Sequence, residues 1–110
     1  MFEKAMALAE KGSGRRLLNT LSKKRHGLTR DELDRVLAVY RDQGLPKDVE
    51  SLKTRRGILD DTGYDTMAEA VRANCCAEKF EAFSTCLRDL LTCGIKMNPA
   101  KMDRDNGCPR

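Results

Sequence analysis

The chain has 110 residues, 40% apolar and 35% charged, with a net charge of +4 and a mean hydropathy of −0.59. That length holds one hydrophobic core and no second domain, and its short apolar runs exclude a membrane-spanning helix. Three Phe, two Tyr and no Trp leave the core to Leu, Val, Ile, Ala, Met and Cys, a palette that suits helices better than sheets.

The first element is a helix over 2–11, with Phe2, Ala5, Met6 and Ala9 on one face. Gly12-Ser13-Gly14 interrupts it, because two glycines in three residues favour a hinge. A second short helix, 15–24, buries Leu17, Leu18 and Leu21 and turns its basic residues outward. Residues 1–30 hold eight Lys/Arg against Glu3 and Glu10, a net +6, whereas 31–65 carry −3 and the remainder +1. The basic character is therefore N-terminal, and it suits contact with phosphate or an acidic partner as well as it suits solvated helix faces. Met1-Phe2-Glu3-Lys4 lacks the pattern of a secretory signal. An amphipathic mitochondrial presequence is opposed by Glu3 and Glu10.

Thr29-Arg30-Asp31-Glu32 fits a capping box, with Leu28 and Leu33 placed as a hydrophobic staple. The helix it starts presents Leu33, Val36, Leu37 and Tyr40 at helical spacing. Gly44 is expected to end that helix and Pro46 to open the next, 46–61, with Val49, Leu52 and Leu59 inward. Gly57 would weaken its interior by about 1 kcal/mol, and Gly63 would cap its end. Thr66-Met67-Ala68-Glu69 reads as a second capping box. No Gly or Pro follows until Gly94, so one long helix of about 67–93 is expected as the centre of the fold. Its stripe Ala73, Cys76, Phe80, Phe83, Leu87 and Leu90 has the spacing of a core seam, with two-helix self-association as the alternative. The expected architecture is all-α: a small bundle of about four to five helices in one domain, 1–94. Residues 1–28 form basic N-terminal helices not necessarily fixed to it, and 95–110 is a polar tail broken by Asn98-Pro99 and Asn106-Gly107.

On a continuous helix, about 100° per residue places Cys75, Cys86 and Cys93 on one line. Ala68 and Ala82 lie beside that line, making a narrow second face that lets another backbone come close. Straight-helix rise separates these cysteines too far for disulfides. The odd count of five favours free, buried thiols in a reducing, cytoplasmic setting, with a bridge from Cys108 to Cys93 or Cys86 as the alternative. Cys76-x9-Cys86 resembles half of the twin CX9C helical hairpins of the mitochondrial intermembrane space, but Asp103 stands where the second pair would end. No CxxC pairing offers a zinc site. His26 sits in a Lys24-Arg25-His26-Gly27 loop, and Asp103-Arg104-Asp105-Asn106-Gly107 has the start of a calcium loop without its end. No cofactor, metal site or catalytic set is expected.

The segment 33–56 has the outline of a helix-turn-helix DNA reader, with Lys47, Lys53, Arg55 and Arg56 on its second helix. Val49 and Leu52 fall one residue early for that motif, and Asp48, Glu50, Asp60 and Asp61 make the region acidic. Tyr64-Asp65-Thr66-Met67-Ala68-Glu69-Ala70-Val71-Arg72 resembles the second helix of ribbon-helix-helix repressors, without the preceding strand. The leading expectation is a non-enzymatic adaptor, inhibitor or accessory subunit. It would dock another protein, or a second copy, through Cys75, Ala82, Cys86 and Cys93. The alternative is a nucleic-acid-binding regulator using Arg15, Arg16, Lys23, Lys24, Arg25, Lys47, Lys53, Arg55 and Arg56 with a helix-turn-helix-like pair at 30–61.

Overall fold

The computed structural model describes residues 1–23, 27–55 and 57–96, the last four as backbone alone. Among them every regular element is helical: α1 (Phe2–Lys11), α2 (Gly14–Ser22), α3 (Arg30–Val39), a π turn (Tyr40–Gly44), α4 (Leu45–Arg55), α5 (Asp61–Ala73), a 3-10 turn (Ala77–Lys79) and α6 (Phe80–Lys96). The all-α expectation holds. No helix among the described residues is long and apolar enough to cross a membrane.

α1 buries only small residues, Ala5 and Ala9, so its backbone comes close to α3 and the π turn beneath it. Gly12 closes the helix in the left-handed region at φ 78°, a conformation that costs a glycine little. α2 then turns back and buries Leu17, Leu18 and Leu21 against α1 and α6.

The capping box at the start of α3 is present in both directions. The Glu32 amide donates to Thr29 Oγ1 at 3.1 Å, and the Thr29 amide to Glu32 Oε1 at 3.0 Å. From Arg30 the helix does not stop at Gly44, as its sequence suggests, but runs continuously to Arg55 through the π turn. Pro46 supplies the reason. It has no N–H to give the Asp42 carbonyl and its ring crowds that position, so the ladder widens and the Leu45 amide donates five residues back to the Tyr40 carbonyl. Gly44 fits there because α1 lies against it: a Cβ would fall well inside contact distance of the Ala9 carbonyl oxygen and 2.7 Å from Tyr40 Cδ1. A helix-turn-helix pair at 30–61 is therefore absent, since no turn separates α3 from α4. The expected 46–61 helix also ends early, at Arg55, and Gly57 lies beyond it at φ 59°.

The long helix expected at about 67–93 is instead two helices. α5 begins earlier, capped by Asp60 accepting from the Gly63 amide at 2.8 Å. Gly63 is thus in its first turn rather than at the end of the helix before. Thr66 lies inside α5, its hydroxyl donating to the Thr62 carbonyl at 2.8 Å rather than capping. The break follows Ala73 with no Gly or Pro to signal it. Asn74 Nδ2 occupies the Ala70 carbonyl at 2.9 Å, the local competition by which short polar side chains end helices. Cys76 is extended, and the Ala77 amide is held by Asp34 Oδ1 of α3 at 2.7 Å. α6 continues past Gly94 to Lys96.

The two helices pack extensively on each other. Phe83, Leu87 and Leu90 reach the core as the seam predicts, while Phe80 and Cys76 are half-buried and Ala73 is exposed. The Phe83 ring meets Tyr40 edge-on at 6.1 Å, a geometry that aromatic quadrupoles favour, and packs tilted on Phe80 at 5.9 Å. Among the described residues, two buried side-chain polar atoms, Tyr64 Oη and Ser84 Oγ, have no hydrogen-bond partner. An orphaned buried hydroxyl is a cost rather than a support. Tyr64→Phe and Ser84→Ala should therefore each leave stability unchanged or raise it by up to about 1 kcal/mol. Urea midpoints test this, and a loss in either variant would reveal a partner for the hydroxyl.

Candidate docking surface

The hinge between α1 and α2 is fixed by one carboxylate. Ser13 makes no side-chain cap; Asp48 of α4 reaches across instead, its Oδ2 accepting from the Gly14 amide at 2.9 Å and from the Tyr40 hydroxyl at 2.6 Å. Burial raises the Asp48 carboxyl above its ordinary range, against the opposing pull of those two hydrogen bonds and of Arg55. Tyr40 is pushed upward by its own burial and by the Asp48 charge. Next to this node, Lys47 Nζ donates to the Glu10 carbonyl at 2.9 Å, at the end of α1. Together these contacts hold α2 in one orientation on the body.

With Leu17, Leu18 and Leu21 inward, the opposite face of α2 is set by helical geometry. Arg15, Arg16, Asn19 and Ser22 fall within about 120° of arc, and Lys23 follows at the C-cap; all five are exposed. From Lys11 to Arg30 the sequence contains no acidic residue. Ion pairs engage Arg30 with Glu78, Arg41 with Asp42, Lys53 with Asp65 and Arg72 with Glu69. Among the described residues, Arg15, Arg16 and Lys23 join no such pair.

The other basic residues singled out from sequence divide. Lys53 is neutralised by Asp65 at 3.1 Å. Lys47 is spent on the Glu10 carbonyl, and Arg55 Nε donates to Ser51 Oγ at 3.2 Å. Lys24, Arg25, His26 and Arg56 lie outside the described residues.

The cysteine face is not formed, because the helix it assumed is broken at its first member. Cys75 is buried in the connection, and its thiol donates to the Leu37 carbonyl at 2.9 Å, beside the π turn. Burial pushes that thiol up to about 12, against the lowering effect of Arg41's charge and backbone amide. Cys86 is half-buried near Asn74 Nδ2, at 3.8 Å. Ala82 is exposed at a shallow depression bordered by Leu33, Phe80 and Glu78. The Cys93 side chain, Cys108 and residues 97–110 lie outside the described residues. Cys75, Cys76 and Cys86 are free thiols, and no cluster among the described residues could hold a metal ion. Iodoacetamide at pH 7 should modify Cys76 and Cys86 well before Cys75, which should react only on unfolding. Mass spectrometry of timed aliquots reads this; early labelling of Cys75 would place it outside the core.

Among the described residues, Met1 is the one large apolar side chain that is exposed. An apolar docking groove therefore has little to build on, whereas a polar, positive helix face is present. Sequence reading found Arg15, Arg16 and Lys23 but missed Asn19, Ser22 and Asp48. The acid-free run 11–30 is the signal that marks the face. The chain matches no family model, no curated protein and no solved structure.

Proposed function

We propose that this small all-α protein is a non-enzymatic interaction module that docks its partner by charge, through the outward face of α2. The observation that carries the reading is the exposed set Arg15, Arg16 and Lys23, in no ion pair among the described residues and flanked by Asn19 and Ser22 on an acid-free helix. Opposite charge steers encounter and fixes register more than it adds raw affinity. Such a module suits an adaptor or accessory subunit that engages and releases. Burial pushes the Cys75 thiol up to about 12, which makes that cysteine a poor nucleophile. Among the described residues, the free thiols of Cys75, Cys76 and Cys86 suit a reducing, cytoplasmic compartment.

Retention on an immobilised sulfated polysaccharide tests charge docking whatever the natural partner. The wild type should elute at distinctly higher salt than the triple variant Arg15→Gln/Arg16→Gln/Lys23→Gln. Equal elution of the two proteins would remove α2 from the docking surface.

A further inference from the structure

Building on that charge-docking reading, we infer that the partner of the α2 face is the phosphate backbone of a nucleic-acid duplex, gripped without reading of bases. Arg, Lys, Asn and Ser side chains are the donors proteins use against phosphate oxygens, and α2 presents Arg15, Arg16, Asn19, Ser22 and Lys23 outward. Among the described residues, Asp48 is the carboxylate hydrogen-bonded to this helix, and it is turned inward onto Gly14 and Tyr40.

A folded protein partner fits less well. Protein interfaces keep an apolar centre, whereas protein–DNA interfaces are more polar and far more positive. The described surface exposes no large apolar side chain beyond Met1. A single strand fits less well too, because binding it rests on exposed aromatic platforms. Tyr40, Tyr64 and Phe83 are buried, and Phe2 and Phe80 half-buried. Base reading through α4 has no support, since α3 and α4 form one continuous helix with no turn to set a recognition helix apart.

The test is fluorescence anisotropy of the full chain with three probes: two duplexes of about 20 base pairs and unrelated sequence, and a Glu/Asp-rich peptide. For phosphate contacts by Arg15, Arg16 and Lys23, the log–log salt slope on duplex should be about −2.7, an affinity loss of about 40-fold between 50 and 200 mM salt. The two duplexes should bind within about twofold of each other. Each of R15Q, R16Q and K23Q should reduce the slope by about 1, with unchanged far-UV circular dichroism. Binding of the acidic peptide but not the duplexes would overturn the nucleic-acid partner and leave charge docking standing. Binding of no probe would overturn both. A marked preference between the duplexes, or a slope that the three substitutions leave intact, would overturn backbone contact through α2.

Discussion

Gly44→Ala should destabilise the protein by about 3 kcal/mol, although alanine is the better helix former by about 1 kcal/mol. The two effects have opposite signs, so the experiment separates packing from propensity. Gly44 lies in a continuous helix, where propensity alone makes alanine stabilising. Packing reverses the sign, because the new methyl meets the backbone carbonyl oxygen of Ala9 and the ring of Tyr40. Neither neighbour is the loose end of a side chain: one is helix backbone, and the other is fully buried and hydrogen-bonded to Asp48. Relief requires α1 to lift from the π turn, exposing Ala5, Ala9 and part of Tyr40. Urea denaturation of the two proteins measures the difference. A Gly44→Ala protein as stable as wild type, or more so, would show that α1 is not seated there.

The second large effect is expected at Asp48, and there the contrast between two substitutions carries the argument. Asp48→Ala leaves the Gly14 amide and the Tyr40 hydroxyl without their acceptor, a loss of about 2–3 kcal/mol. Asp48→Asn keeps an acceptor oxygen and removes the cost of burying a charge, so it should stay within about 1 kcal/mol of wild type. The pH dependence has a defined sign. Burial raises the native carboxyl above the unfolded value of 3.8, so the native state holds this proton more tightly than the unfolded chain. The stabilisation this group supplies is complete below 3.8 and is lost as pH rises through the higher native value. Subtracting the pH profile of Asp48→Asn from that of wild type isolates this contribution. A difference profile that instead rises with pH across that window would mean the carboxylate is stabilised as an anion by Gly14 and Tyr40.

The helical character of the chain was legible in its periodicity, and so was much of its core. Val36, Leu37, Tyr40, Phe83, Leu87 and Leu90 are all buried, as their spacing requires. Helix boundaries were less legible, for identifiable reasons. Asn74 ends α5 through its own side chain and through contacts brought by distant residues, Asp34 on Ala77 and Leu37 on Cys75. A rule that waits for glycine or proline passes over such a stop. Gly44-Leu45-Pro46 failed in the other direction: the helix absorbed the proline by widening one turn, and Gly44 lets α1 pack against that turn. The cysteine surface fell with the long helix. Arg15, Arg16 and Lys23 are exposed as expected, because their position depends only on Leu17, Leu18 and Leu21 facing inward. What no local pattern shows is Asp48, a residue 34 positions from Gly14, as the clamp that fixes that surface.

Titration of 15N-labelled protein with a short duplex at low salt, followed by two-dimensional NMR, tests the docking surface most directly. Amide shifts should concentrate between Arg15 and Lys23, with little movement on α5. Shifts centred instead on Leu33, Phe80 and Ala82, or spread evenly over the surface, would contradict it.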